Sequence, residues 1–353
     1  MAEEIREPRK PKTSHDAVQQ NGVKTTANID IPEEVFLHVI SFLDTKSLVR
    51  TSVLCKRWRA LWKQTFSLHF RCRSYMPSSR PDVEKLLLSI RRSGRRAAVP
   101  GTLSFELAAE SGCRWEWDPA VFDLVMRYYE DAAAGGGGGG LRVLSVAPGP
   151  LREDFDRLAG SIAGGQKKSL GTLRLSRWFF RGRFALVGFA SLANLELSDC
   201  SFYGDSRGST TTIELPFAEV RSLRRLKLLD CWSRDRVVVL LPRVVDLEIR
   251  NRSFWSFRID ELLAPKVESF AFSGHVRDLS GGWRRGGGRR YVLPSLRRAV
   301  VRLVWVEPED GDDDEKMARM DRAFVSLLRG TRSAKSLDLC FDKVPFKCGF
   351  RLF

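Results

Sequence analysis

The chain has 353 residues, of which 43% are apolar, and this is enough for a sizeable core and for two or more domains. Its 59 Lys and Arg against 43 Asp and Glu give a formal charge of +16, which favours contact with acidic partners or nucleic acid. No run of about 18 apolar residues occurs, and the start of the chain lacks the apolar segment of a secretory signal, so the sequence argues against a membrane protein. The seven Cys are odd in number and scattered, which is typical of free thiols in a reducing compartment. We therefore expect the protein in the nucleus, the cytoplasm or both.

Residues 1–28 are polar and lack periodic apolar positions, which predicts a disordered tail. The next stretch, residues 31–62, predicts three short helices. Thr45 is a candidate N-cap for the second helix, and the third carries Trp58. The first helix has one apolar stripe, formed by Val35, Val39, Phe42 and Leu43. Because three helices of this size bury too little surface to be stable alone, a partner or the rest of the chain should cover some of these side chains.

This stretch, IPEEVFLHVISFLDTKSLVRTSVLCKRWRALW, resembles an F-box of the plant type, and the part from Leu48 to Arg59 is the most specific. The family usually opens with Leu-Pro where this chain has Ile31-Pro32, an exchange that conserves side-chain volume. The resemblance implies that residues 29–66 form an F-box that docks onto a Skp-family adaptor and, through it, onto cullin and RING subunits of a ubiquitin ligase. Spacing alone does not separate the residues that face the adaptor from those that fill an internal core. The candidate adaptor-binding residues are Ile31, Pro32, Val35, Val39, Leu48, Val49, Leu54 and Trp58.

Residues 67–140 predict a linker of helices and strands that caps the region after it. Residues 102–107 alternate with a strand period, and Asp118-Pro119 opens a helix that ends before the six glycines at 135–140. The glycine run formally satisfies GxGxxG. Since it follows a helical pattern rather than a strand, we reject a nucleotide-binding interpretation.

From residue 141 to residue 353 the unit LxxLxL recurs at spacings of 21 to 38 residues, which is typical of leucine-rich repeats with inserted loops. The units are Leu141-Leu144-Val146, Leu170-Leu173-Leu175, Leu192-Leu195-Leu197 and Leu223-Leu226-Leu228, then more loosely Val244-Leu247-Ile249, Val267-Phe270-Phe272, Leu296-Ala299-Val301 and Ala334-Leu337-Leu339. The whole chain thus resembles the plant F-box/leucine-rich-repeat proteins, including the FBD-type lineage. We predict an α+β multidomain fold, in which a small three-helix F-box precedes an irregular α/β leucine-rich-repeat solenoid with a parallel strand ladder.

Between the inward leucines of these strands lie charged residues that should project from the concave face. Residues at equivalent positions of parallel neighbours in register stand side by side, so their alternating signs form a row. Two interpretations stay open: the row is self-paired and solvated, or it contacts a protein substrate. The candidate substrate-binding residues are Arg174, Glu196, Lys227, Glu248 and Asp338.

The aromatic residues support two further hypotheses. Phe180, Phe202 and Phe254 each fall ten residues after the start of a repeat, which predicts a buried spine. Trp178 and Trp232 lie near strand ends with arginines interleaved, a combination that can bind single-stranded nucleic acid. No nucleic-acid-binding module accompanies them, so nucleic acid is the lesser alternative.

The catalytic motifs GxxxxGK[ST], HExxH and CxxC are all absent from the chain. The acidic segment Glu307–Glu315 lacks the DxDxDG loop of a calcium site, so we expect no metal and no cofactor. We predict a non-catalytic substrate receptor of a Skp/cullin/F-box ubiquitin ligase. The alternatives are a basic repeat protein that binds nucleic acid and an F-box-derived scaffold without ligase activity. Neither the substrate nor the need for a small ligand can be read from the sequence.

Overall fold

The structure is a computed structural model. It describes residues 32–61, 67–72, 84–85, 87–88, 101–107, 119–134, 140–147, 153–162, 164–181, 186–204, 212–233, 235–251, 257, 259–275, 290–304, 324–325 and 327–342. The expected disordered tail at 1–28, the candidate residue Ile31, the acidic segment Glu307–Glu315 and the spine candidate Phe254 all lie outside these ranges.

The described helices are α1 (Glu33–Ile40), α2 (Thr45–Thr51), α3 (Lys56–Leu61), α4 (Pro119–Ala134), α5 (Phe155–Ser161) and α6 (Gly164–Ser169). The strands are β1 (Ser67–Cys72), β2 (Thr102–Leu107), β3 (Val143–Ala147), β4 (Glu153–Asp154), β5 (Thr172–Ser176), β6 (Trp178–Arg181), β7 (Asn194–Ser198), β8 (Ser201–Tyr203), β9 (Thr212–Leu215), β10 (Arg225–Leu229), β11 (Trp232–Ser233), β12 (Arg236–Leu240), β13 (Asp246–Asn251), β14 (Ile259–Leu263), β15 (Ser269–His275), β16 (Arg290–Val292), β17 (Arg298–Val304) and β18 (Ser336–Asp342).

Capping residues explain where the first two helices begin. The carbonyl of Pro32 accepts the peptide N–H of Val35 at 3.1 Å, so Pro32 is the N-cap of α1. The carboxylate of Asp44 accepts the peptide N–H of Ser47 at 2.7 Å and caps α2. The prediction that Thr45 caps α2 is therefore wrong by one residue. The carboxylate of Asp44 can accept two hydrogen bonds at once, and it also accepts the Ser47 hydroxyl at 3.2 Å.

One parallel sheet of ten strands, in the order β1-β2-β3-β5-β7-β10-β13-β15-β17-β18, organises the described chain. Each LxxLxL unit supplies one strand, and successive units pair in register, so that Leu195 stands beside Leu226 and Leu226 beside Leu247. The predicted parallel strand ladder is thus confirmed. Parallel sheets usually have both faces covered, yet here burial alternates along strands such as β5, β7 and β13. One face therefore packs on the core, while the other, the solvent face, meets water.

Behind the buried face, two smaller parallel sheets close the core, in the orders β11-β8-β6-β4 and β16-β14-β12-β9. Helices α5 and α6 fill this layer early in the chain. Several later repeats instead return through strands such as β12, whose RVVVL sequence favours an extended backbone. The described fold is accordingly mostly strands with few helices, which is more β-rich than an α/β prediction implies.

Aromatic stacking runs through the core between the sheets. The rings of Phe180 and Phe202 are both fully buried and stack at 5.0 Å, and Phe155 lies 5.0 Å from Phe180 on the other side. Phe257 continues the series 5.6 Å from Phe202. The predicted spine therefore forms at its first two positions, because equivalent residues of neighbouring repeats stand one strand spacing apart.

Candidate functional site

An exposed apolar surface covers the outside of the N-terminal helices. We define this apolar surface by Val35 and Val39 on α1, Phe42 after it, and Val53 and Leu54 in the turn after α2, with exposed fractions of 47%, 48%, 75%, 79% and 66%. Eleven large hydrophobic residues of the described chain are exposed, and these five fall within only 20 positions. Single exposed hydrophobic residues are ordinary, whereas a concentration of this kind is typical of interaction surfaces.

The inner side of the same helices packs against the rest of the chain. Ile40 and Leu61 are buried, and the ring of Phe36 meets that of Trp58 edge to face at 5.2 Å. Leu48 is only 1% exposed and belongs to this inner side. The helices therefore have a packed core of their own on the inner side, and the apolar surface is not part of that core.

The structure sorts the candidate adaptor-binding residues. Pro32, Val35, Val39 and Leu54 are exposed, whereas Val49 and Trp58 are half-buried and pack against the core. Leu48 is buried, and its side chain belongs to the core.

Phe42 and Val53 were not among the candidates, although they are the most exposed hydrophobic residues of the apolar surface. The sequence did contain a signal for the exposure of Phe42, because this residue continues the apolar stripe that Val35 and Val39 begin. Val53 carried none, since its exposure depends on where α2 ends at Thr51.

Hydrogen bonds attach the N-terminal helices to the first strand of the sheet. The peptide N–H of His69 in β1 donates to the hydroxyl of buried Thr45 at 3.0 Å. The imidazole Nε2 of the same residue lies 3.1 Å from the carbonyl oxygen of Ser41. These contacts join the helices to the edge at which the ten-stranded sheet begins.

The solvent face of the sheet brings the candidate substrate-binding residues into one row. In register, Arg174 stands beside Glu196, Glu196 beside Lys227, and Lys227 beside Glu248. Two ion pairs form within the row: Arg174 Nε lies 3.6 Å from Glu196 Oε2, and Lys227 Nζ lies 2.8 Å from Glu248 Oε2. Asp338 occupies the same row but is separated from Glu248 by Ala271 and Val300 on β15 and β17.

The row is therefore compensated internally at its first four positions. A ligand that binds there must exchange these ion pairs for its own, which limits the net gain in free energy. A third pair on the same face joins Arg225 Nε to Asp246 Oδ2 at 2.9 Å.

Two cysteines at equivalent positions of neighbouring repeats lie inside the core. The thiol of Cys200 donates to the carbonyl of Leu175 at 3.6 Å, and that of Cys231 to the carbonyl of Leu197 at 3.4 Å. Burial raises the pKa of Cys200 to about 12 and raises that of Cys231 as well. Both are neutral thiols at physiological pH, so their role is to pack and not to react.

The described ranges contain neither a membrane-spanning helix nor a cluster of metal ligands. No helix among them is long and apolar enough to cross a bilayer. No three His, Cys, Asp or Glu residues among them are arranged to hold a metal ion.

Comparison with known proteins gives one match to a domain family and several matches to whole proteins. Residues 29–68 match the F-box domain. An F-box/LRR-repeat protein of Arabidopsis thaliana is 47% identical over 263 residues, which is 72% of this chain and 54% of that protein. An F-box/FBD/LRR-repeat protein of the same plant is 27% identical over 221 residues, 62% of this chain and 39% of that protein. A further Arabidopsis F-box protein is 39% identical over 291 residues, 77% of this chain and 84% of that protein. The chain thus spans about half the length, or less, of the first two relatives.

Proposed function

Because this chain belongs to the plant F-box/leucine-rich-repeat family, we propose that it is the substrate-recognition subunit of a Skp/cullin/F-box ubiquitin ligase. F-box domains generally bind Skp1-type adaptors, and cullin and RING subunits then join through the adaptor. The helices α1 to α3 act as the three-helix F-box, and the stacked repeats form the solenoid that holds the substrate.

The observation that carries this proposal is the apolar surface beside a completed core. Burying apolar area is worth about 25 cal/mol per Å², so covering five such side chains favours a stable complex. Val35, Val39 and Leu54 join Phe42 and Val53 as the proposed adaptor contacts. Ile31 and Pro32 extend them at the start of α1, while Val49 and Trp58 support them from the half-buried side.

The proposed mechanism is proximity. The row from Arg174 to Asp338 faces solvent and contributes to holding a protein substrate, while the adaptor side brings the ubiquitin-charged enzyme close to it. Raising the local concentration of two reactants accelerates their reaction without any catalytic group on the receptor. We therefore propose no enzymatic activity for the chain itself, and a place of action in the nucleus, the cytoplasm or both.

Copurification with a plant Skp1-type adaptor tests the proposal. Val39→Asp and Val53→Asp each place a charge in the apolar surface and should abolish capture of the adaptor, because a buried unpaired carboxylate costs several kcal/mol. Val187→Asp is the matched control, since this valine is 70% exposed but lies in the repeat region. Capture that survives both surface variants, or that Val187→Asp abolishes equally, contradicts the proposal.

Nucleic-acid binding gains little support from the described tryptophans. Trp178 is fully buried and donates its indole N–H to the carbonyl of Val146 at 3.0 Å. Trp232 packs edge to face on Tyr203 at 5.1 Å. Base stacking needs an open ring face, which Trp178 does not offer.

A further inference from the structure

The N-terminal ends of the strands β10, β13, β15, β17 and β18 form one border of the sheet, and this border carries an excess of positive charge. We call it the basic edge, and nine exposed side chains define it: Arg221, Arg224, Arg225, Arg243, Lys266, Arg297, Arg298, Arg332 and Lys335. All nine lie within two positions of the residue that opens an LxxLxL unit, so the repeat itself brings them together.

Backbone hydrogen bonds order the inner positions of the basic edge: Arg297 and Lys335 are neighbours, while Val245 and Glu268 stand between Arg224 and Arg297. The N–H of Val245 donates to the carbonyl of Arg224 at 2.8 Å, and that of Glu268 to Val245 at 2.9 Å. The ladder continues in the same way: the N–H of Arg297 donates to the carbonyl of Glu268 at 2.8 Å, and the N–H of Lys335 donates to the carbonyl of Arg297 at 2.9 Å. Neighbouring positions are thus about 4.8 Å apart, close enough for one extended ligand to meet several of them.

The turns before the strands add the outer members. The Arg243 guanidinium lies 3.4 Å from the carbonyl oxygen of Arg221, and that of Arg224 lies 3.4 Å from the carbonyl oxygen of Arg243. Lys266 and Arg332 occupy the corresponding turns before β15 and β18. The two guanidinium contacts join the turn before β10 to the turn before β13.

Carboxylates do not balance this charge. At the same positions of the five repeats stand only Asp246 and Glu268, and each is already paired, with Arg225 at 2.9 Å and Arg297 at 3.4 Å. The nearby Glu219 forms no ion pair within the described ranges. Seven cations of the basic edge therefore have no carboxylate within 4 Å among the residues that the structure describes: Arg221, Arg224, Arg243, Lys266, Arg298, Arg332 and Lys335.

The opposite edge of the sheet differs. The turns after β5, β7 and β10 hold Arg177, Asp199 and Asp230, all with positive φ, and Asp230 lies 3.8 Å from Arg250. Charges of both signs stand there, and the carboxylate of Asp230 is paired with Arg250. An uncompensated cationic surface is thus a property of the basic edge and not of the sheet as a whole.

We propose that the basic edge binds an acidic polypeptide segment, one rich in Asp and Glu. That this segment belongs to the substrate rests on the receptor role proposed above. Arg225 and Arg298 belong to β10 and β17, next to the row that contains Lys227, so a segment along the edge also borders the solvent face.

The composition of the basic edge favours a polypeptide over nucleic acid. Residues 219–225, 241–246, 264–269, 293–298 and 331–336 contain no Phe, Tyr or Trp. Single-stranded nucleic acid binds through aromatic stacking together with positive charge, and the basic edge supplies only the charge. Carboxylates need nothing more than cationic donors at strand spacing.

Fluorescence anisotropy with the full chain tests this proposal. The probe is a fluorescein-labelled synthetic peptide of alternating Glu and Ser, about 12 residues long. Lys266→Glu, Arg298→Glu and Lys335→Glu together remove three uncompensated cations and should weaken binding about tenfold or more. Binding by the unaltered chain should weaken steeply between low salt and about 0.5 M NaCl.

A matched control distinguishes the effect of where the charges are changed from the effect of the net charge of the chain. Arg127→Glu, Lys168→Glu and Arg181→Glu change the formal charge by the same amount at exposed positions away from the basic edge. This control should bind the peptide within about twofold of the unaltered chain, since rim charges act mainly at short range in salt. Thermal unfolding of each variant verifies that it is folded.

Three results would overturn the proposal. The first is equal weakening in the control and in the basic-edge variant. The second is tighter binding of a single-stranded RNA or a DNA duplex of the same charge, which would assign the edge to nucleic acid. The third is peptide binding that emerges only when the acidic residues of Glu307–Glu315 are neutralised, which would make that segment the occupant. Adaptor capture, measured on the same samples, separates this outcome from failure of the receptor role.

Discussion

The ion pair between Lys227 and Glu248 allows a quantitative test of the interpretation that the solvent-face row is self-paired. The two side chains are 46% and 34% exposed, so water screens their 2.8 Å contact. Screened pairs of this kind contribute about 0.2–1 kcal/mol. Lys227→Glu removes this contribution and places a third carboxylate between Glu196 and Glu248, where like charges on neighbouring strands are destabilising by similar amounts.

We therefore expect Lys227→Glu to lower the free energy of unfolding by about 1–2 kcal/mol and the melting temperature by about 2–5 °C. The exchange Lys227→Glu with Glu248→Lys restores the pair in reverse. The new carboxylate at position 227 still stands beside Glu196, and the new ammonium group at position 248 stands beside Ala271, so we expect about half of the loss to be recovered.

Thermal and urea unfolding of the two single variants and the double variant give the coupling energy of this pair. It should fall when NaCl is raised to about 0.5 M. A coupling energy below about 0.2 kcal/mol at low salt, or a Lys227→Glu variant that melts like the unaltered chain, refutes the self-paired interpretation. If such a variant also loses its substrate, the row contacts the substrate directly.

Three further predictions concern the core, a cap and the thiols. Phe202→Ala should cost about 3–5 kcal/mol in unfolding free energy, because it empties the position stacked on Phe180, and a Tm within about 3 °C of the unaltered chain would contradict this. Asp44→Ala should cost about 0.5–2 kcal/mol through loss of the α2 cap, while Asp44→Asn should recover most of it in urea unfolding. Since the pKa of Cys200 is raised to about 12 and that of Cys231 is also raised, the unfolded chain releases these protons first. The stability that the neutral thiols contribute should therefore be lost as the pH rises from about 9 towards 12, and in the native chain near pH 8 a thiol reagent should label exposed Cys55 and Cys340 but not these two.

The sequence was most informative where one repeat resembles the next. Leu195, Leu226 and Leu247 recur in the same frame, and they become neighbours because parallel pairing preserves that frame. The charged row follows from the same periodicity, since Arg174 and Glu196 alternate with buried leucines. A pattern that repeats along the chain thus predicts contacts between residues more than 20 positions apart.

Prediction was weaker where a result depends on packing between layers. Leu48 and Leu54 are both leucines of one amphipathic stretch, yet one is buried and the other exposed, because the rotation of α2 against β1 decides which side faces inward. The return strands such as β12 lie between repeats and vary in length. The sequence of β12 favours an extended backbone, but no local pattern encodes its pairing with β9 and β14.

The basic edge could not be predicted from the linear sequence either. Arg224 and Arg297 are separated by more than 70 residues, and they approach each other only through the ladder of backbone hydrogen bonds at the start of the strands. A formal charge of +16 indicated acidic partners but not where they would bind.

Isothermal titration calorimetry of a recombinant plant Skp1-type adaptor into the purified chain tests the receptor role most directly. We predict saturable binding with one adaptor per chain and a negative heat-capacity change, as expected when apolar surface is buried. Phe42→Asp should abolish the heat signal while leaving the melting temperature of the chain unchanged. A flat titration with the unaltered, folded chain, or a Phe42→Asp variant that binds as tightly, would contradict the account.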